Sequence, residues 1–148
     1  MDDQQQTIFK FFNEVGIINQ LSVAMLNNRL PEGLHVSHFS VLNHCVRLGD
    51  GKTPLALAKA FQVSKGTMTH TLSELSRRGF LRLAPNAEDG RSKLVFITDE
   101  GRAFQKRAIE SLAPAIDKLG DQLDVEAMAR MLPDLAVLRS VLDNNRDA

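Results

Sequence analysis

Asp89-Gly90-Arg91-Ser92 places an arginine at the tip of what reads as a β-hairpin, between the β-prone runs Phe80–Leu83 and Leu94–Ile97. Across Ala84–Thr98 the order is strand, charged turn, second strand, start of a helix, with Gly90 expected to supply a positive φ at the turn. A guanidinium carried on such a tip suits the minor groove of DNA, where narrowing deepens the negative potential. Asp89, two residues earlier, is spaced to hold that guanidinium in one direction. Taken alone, the turn reads equally well as an ordinary solvated hairpin tip.

The elements that must position this tip precede it. Thr53-Pro54 fits an N-cap followed by proline at the first helical position, and Leu55, Leu57, Ala58 and Phe61 give that helix an apolar side. Gln62-Val63-Ser64 is the turn, and Ser64 caps a second helix in which Met68, Leu72 and Leu75 form one inward stripe. Arg77-Arg78-Gly79 closes it, with cations at the negative pole and glycine beyond the cap. The outward face is short and polar: Lys65, Thr67, Thr69, His70, Ser73 and Arg77. Such a face lets a helix sink into a major groove. Lys65, Thr67, Thr69 and His70 are candidates for base edges and phosphates, Ser64 and Ser73 for supporting contacts, Arg77 for a phosphate, and Arg91 with Asp89 for the minor groove.

Four segments in this order, Ser64–Leu72, Leu75–Leu81, Asp89–Ser92 and Ile97–Gly101, resemble the multiple antibiotic resistance regulator (MarR) family. The resemblance implies a mostly α fold with a small β-hairpin wing, a winged helix-turn-helix carrying terminal dimerisation helices. It also implies a bacterial, DNA-binding transcription regulator, a repressor or an activator and read here as a repressor, working as a homodimer on double-stranded DNA.

Composition sets the bounds. The chain has 148 residues, 43% hydrophobic, with 18 Lys+Arg against 18 Asp+Glu and one cysteine. That is one domain-sized unit or a small domain plus an assembly region. No apolar run reaches the ~18 residues of a membrane span. The N-terminus lacks the basic region of a signal peptide, and one cysteine gives no internal disulfide, so a cytoplasmic protein is expected. The zero net charge is unevenly spread. Residues 52–110 hold 11 Lys+Arg against 6 Asp+Glu, while both flanks are acidic. The basic part is the helix-turn-helix and wing, the electrostatic footprint of a DNA face.

Three parts follow: an N-terminal dimerisation helix in 1–34, the winged helix-turn-helix in 35–100 and C-terminal dimerisation helices in 101–148. Gln6–Arg29 reads as one long helix with Ile8, Phe11, Phe12, Val15, Ile18, Leu21 and Met25 on one side. Gly101–Leu119 and Val125–Leu142 read as two more, which Pro114 and Pro133 should kink or divide. Their apolar surplus points to a subunit interface, against the alternative of a larger monomeric core. A two-fold dimer would set two recognition helices roughly 34 Å apart and demand a near-palindromic site.

Ser37–Leu48 reads as a bridging helix capped by Ser37 and flanked by Gly33 and Gly49-Asp50-Gly51 as hinges. The resemblance implies a small-molecule pocket at this junction, commonly for anionic aromatic compounds. Phe12, His35, His38, Phe39, His44 and Arg47 are the candidates for it, and each also fits a surface or core-edge role. Cys45, on the apolar side, is expected to be a buried, inert thiol. No metal or cofactor is expected. No phosphate loop, metalloprotease helix or nucleophile elbow occurs, so the chain reads as no enzyme. The alternative is a winged-helix module that binds protein. The polar face of residues 64–77 argues against it, because interface cores favour large apolar side chains.

Overall fold

The computed structural model describes residues 1–146, so the last two residues of the 101–148 segment lie outside the described residues. In chain order it comprises α1 (Asp3–Asn27), a 3-10 turn (Pro31–Gly33), α2 (Val36–Leu48), α3 (Pro54–Ala60), α4 (Lys65–Arg77), β1 (Leu81–Pro85), β2 (Lys93–Ile97), α5 (Asp99–Gly120) and α6 (Val125–Asn144). This is the mostly helical, winged helix-turn-helix class expected.

Helix α1 starts earlier than Gln6 because Asp2 and Gln5 form a reciprocal capping box, with bonds of 2.8 and 3.0 Å. Helix α2 also starts early, and Ser37 is not its cap. His35 is the capping residue: the Nδ1 of His38 accepts the His35 N–H at 3.1 Å, and Oδ1 of Asn27 accepts the Val36 N–H at 2.7 Å. An acceptor nine residues upstream replaces the local serine. Thr53 caps α3 and Ser64 caps α4, each accepting an amide at 3.1 Å. Neither Pro114 nor Pro133 divides its helix. Proline's fixed φ is itself helical, so each position forfeits an amide donor without ending the element.

The hairpin is antiparallel, in register from Leu81↔Ile97 to Pro85↔Lys93. Lys52 adds a bridge to Val95, with the Val95 N–H donating to the Lys52 carbonyl at 2.9 Å. At the hairpin's base, Thr98 joins wing to α5. Its hydroxyl donates to the Gly79 carbonyl at 2.6 Å and accepts the Gly101 N–H at 3.0 Å. Gly101 must lack a side chain, because a Cβ there would be driven into the Phe80 carbonyl. Around this joint the core gathers Leu34, Leu42, Leu57, Leu75 and Phe104, all buried, with Phe80 stacked on Phe104 at 4.7 Å.

The chain separates into two compact units, one spanning Met1–Leu112 and the other beginning at Ala113. In the first, α1 buries none of its residues, and Ile18 and Leu21 stay 62% and 68% exposed. In the second, α6 likewise buries none, and Leu132 is 63% exposed. Within that second unit an apolar groove of about 400 Å³ is lined by Ile116, Leu119, Leu123, Met128 and Leu132 among others.

Candidate nucleic-acid interface

Helix α4 is held by Met68, Thr71, Leu72 and Leu75, all buried. That leaves Ser64, Lys65, Thr67, Thr69, His70, Ser73 and Arg77 exposed, as their spacing predicts. Two of these hydroxyls are already engaged in starting the helix, since Ser64 and Thr67 bond to each other at 2.9 Å. The Thr69 hydroxyl donates back to the Lys65 carbonyl at 2.8 Å.

The wing tip is knit by its own polar groups. Asn86 Nδ2 donates to Ser92 Oγ at 2.9 Å, and Asn86 Oδ1 accepts the Glu88 N–H at 3.1 Å. Asp89 Oδ1 accepts the backbone N–H of Arg91 at 3.0 Å. This corrects the expected role of Asp89: it fixes the turn's backbone and does not grip the guanidinium. Among the described residues Arg91 forms no ion pair. Gly90 does not have a positive φ either, because the Asx-type turn at Asp89 reverses the chain without one.

Helix and wing meet across a groove of about 490 Å³. Lys65 and Thr69 enter it from α4, and Asp89, Arg91, Ser92 and Lys93 from the wing, over Leu55 and Leu83. A second groove of about 360 Å³ continues along α4 past Thr69, Ser73, Ser76 and Arg77. Six of the nine candidates, Lys65, Thr69, Ser73, Arg77, Asp89 and Arg91, thus line two grooves that share Pro54, Thr69 and Leu83. Ser64, Thr67 and His70 are exposed but line neither. Lys93 was not among the candidates. Its signal was the basic pair Arg91 and Lys93 astride Ser92.

Glu74 was also missed. Arg77 grips its carboxylate with two bonds, Nε at 3.1 Å and Nη2 at 2.6 Å, and Arg78 Nε adds a third at 2.7 Å. Arg78 Nη1 reaches further, to the Glu32 carbonyl at 2.5 Å, and the Glu32 carboxylate pairs with Arg107 at 3.3 Å. The hydrogen bonds from Arg77, then from Arg78, hold the Glu74 carboxyl down at about 2, and the same contact raises Arg77. An i, i+3 and i, i+4 spacing from Glu74 to both arginines was the available signal.

The six pocket candidates occupy several surroundings. Phe12 lies exposed on α1, edge-on to Phe11 at 5.8 Å. His35 stacks on His38 at 5.9 Å, and Phe39 packs against the core. His38 is lowered by burial first, then by His35, with Glu74, Arg78 and His70 also facing it. His44 lies 5.3 Å from the Phe61 ring and lines a groove with Leu48, Lys52 and Ala60. Burial lowers it, followed by Lys52 and Arg47. Arg47 itself is exposed. Cys45 is buried, and burial followed by Asp50 pushes its thiol up to about 11. Among the described residues no group of three or more His, Cys, Asp or Glu is placed to hold a metal, and no helix is long and apolar enough to cross a membrane.

With this geometry in place, three likenesses are informative. A family model described as the MarR family matches residues 32–92. The multiple antibiotic resistance protein MarR of Salmonella typhimurium is 34% identical over 89 residues, 60% of this chain and 61% of that protein. The match thus spans about three fifths of that curated relative's length. Among solved structures, a cysteine-to-serine mutant of Escherichia coli MarR complexed with operator DNA aligns at a TM-score of 0.72 and 25% identity, covering 95% of this chain and 99% of that one. The transcriptional regulator BldR from Sulfolobus solfataricus, at TM-score 0.75, 23% identity and coverages of 93% and 99%, shares the fold. Residues 32–92 thus match the MarR family model, and the chain shares the winged-helix fold of the MarR transcriptional regulators.

Proposed function

We propose that this chain represses transcription as a homodimer seated on a near-palindromic DNA site, and that a small anionic aromatic effector releases it. The observation that carries the DNA-binding part is the groove joining the start of α4 to the wing, where Lys65, Thr69, Arg91 and Lys93 converge over a floor of Pro54, Leu55 and Leu83. Its width of chemistry is that of a nucleic-acid contact: cations for phosphates, short hydroxyls for base edges, and no exposed aromatic. The operator complex of the related E. coli protein supports the reading. Dimerisation is supported by α1 and α6, each of which leaves its large apolar side chains uncovered within its own unit. Positive φ at Gly33 and Gly49, which flank α2, suits a hinge between two dimer geometries. An effector moves that equilibrium only through its different affinity for the two geometries.

Fluorescence anisotropy on the chain's own upstream intergenic DNA, against a scrambled duplex and across a salt series, tests this. Selective binding with two subunits per site is expected. Binding that salt abolishes equally on both duplexes would overturn operator recognition at that site and turn attention to a protein partner.

A further inference from the structure

We propose that Glu74 is a specificity-determining residue that keeps Arg77 from attracting DNA indiscriminately, an inference resting on the DNA-binding reading above. Three observations converge on it. Arg77 lines the groove along α4, and its side chain is 69% exposed, so it is placed to meet a duplex. Its fork is nevertheless occupied, with Nε and Nη2 both on the Glu74 carboxylate at 3.1 and 2.6 Å. The carboxylate itself is anchored from behind by Arg78 at 2.7 Å, and Arg78 is tied to the Glu32 carbonyl at 2.5 Å.

Each link has a physical consequence. An exposed ion pair between two mobile side chains is weak, because both lose freedom in forming it. Here one partner is already pinned by Arg78, which removes part of that cost. Attraction to arbitrary DNA is long-ranged and counts charges, so a carboxylate fixed beside Arg77 offsets one of them. A contact at one defined phosphate or base edge depends on direction instead, and the bidentate grip aims the free edge of the guanidinium. Glu74 therefore lowers binding to all DNA while sparing the correctly placed contact. Arg91, which has no ion pair among the described residues, supplies the unrestrained attraction.

The test is a salt series of anisotropy titrations on operator and random duplexes with the full chain. Glu74→Gln keeps the side chain's size and removes its charge. It should tighten random-duplex binding, steepen the slope of log K against log salt by about 0.9, the equivalent of one more phosphate, and lower the operator-to-random ratio several-fold. Arg77→Gln alone should weaken operator binding and leave the random-duplex slope where it was, and combined with Glu74→Gln it should erase the gain. Glu74→Asp, which retains the charge, should keep the wild-type slope. Thermal unfolding of each variant reports folding separately. An unchanged random-duplex slope in folded Glu74→Gln, or an Asp variant that behaves like Gln, overturns the proposal while DNA binding stands. Wild-type chain that binds no duplex even at low salt overturns both.

Discussion

Arg91 and Arg77 carry the same guanidinium in opposite circumstances. One projects from the wing without an ionic partner among the described residues, and the other is held by Glu74 through two bonds. Binding energy at this scale depends on what each side chain must give up. Arg91→Ala should weaken operator and random duplexes alike, because a minor-groove cation reads potential more than base identity. Lys65→Ala or His70→Ala should cost about 1–3 kcal/mol on the operator and relax its sequence preference, as loss of a base-edge contact does. Competition anisotropy with single-base-pair variants of the operator measures both, and an Arg91→Ala chain binding as tightly as wild type would falsify the wing's role. Exposure of the recognition face was legible in the sequence, because Met68, Leu72 and Leu75 fix which side of α4 turns inward. The grip of Glu74 was less so. Periodicity says which residues share a face, but not which of two arginines a carboxylate takes, and here it takes both. Asp89 failed as a guanidinium partner for a related reason: a short aspartate two residues before an amide closes an Asx turn more readily than it reaches a long side chain.

Among elements, the joint between β2 and α5 is the tightest. Gly101→Ala should destabilise the chain by about 1–3 kcal/mol or more, the overpacking range, because the obstacle is the Phe80 carbonyl and not a movable side chain. Denaturant unfolding monitored by circular dichroism measures it, and a midpoint equal to wild type would refute the reading. The start of α2 is built differently. There the His38 ring must stay unprotonated at Nδ1 to accept the His35 N–H, and its folded pKa lies below the ordinary value through burial first and His35 second. A group with a lowered folded pKa binds its proton more readily when unfolded. Stability should therefore fall as pH drops through the ordinary histidine range and level off below the folded value. His38→Gln, which keeps an acceptor that does not titrate, should flatten this dependence in thermal melts from pH 7.5 to 5. His44 is lowered too, so a smaller slope should persist. Element types and the starts of α3, α4 and α6 could be read from caps and periodicity. The start of α2 could not, because Asn27 caps it from another helix, and local propensity carries no information about an acceptor nine residues away. Prolines 114 and 133 do not divide their helices, since a local helix-breaking rule is outweighed by the helical residues on both sides.

For the molecule as a whole, the proposed dimer rests on the apolar faces of α1 and of α6. Burying one large apolar side chain contributes about 1.5–3 kcal/mol, and each helix exposes several. Leu21→Glu or Leu132→Glu should shift the chain from dimer to monomer in sedimentation at micromolar concentration. Either variant sedimenting as wild type would remove that helix from the interface. The surplus of apolar residues at both ends of the chain was legible in the sequence. What covers them was not, because a hydrophobic stripe looks the same whether it meets its own core or a second subunit. The wing tip carries a further consequence for recognition. Asn86, Asp89 and Ser92 close the loop on itself, so its backbone has a settled shape before any partner arrives. Ordering a flexible loop costs roughly 1–2 kcal/mol per residue, and this tip has met most of that cost during folding. The side chains of Arg91 and Lys93 remain to be immobilised on contact. Association through the wing should accordingly behave as a docking of finished surfaces, with little of the heat-capacity change that accompanies coupled folding.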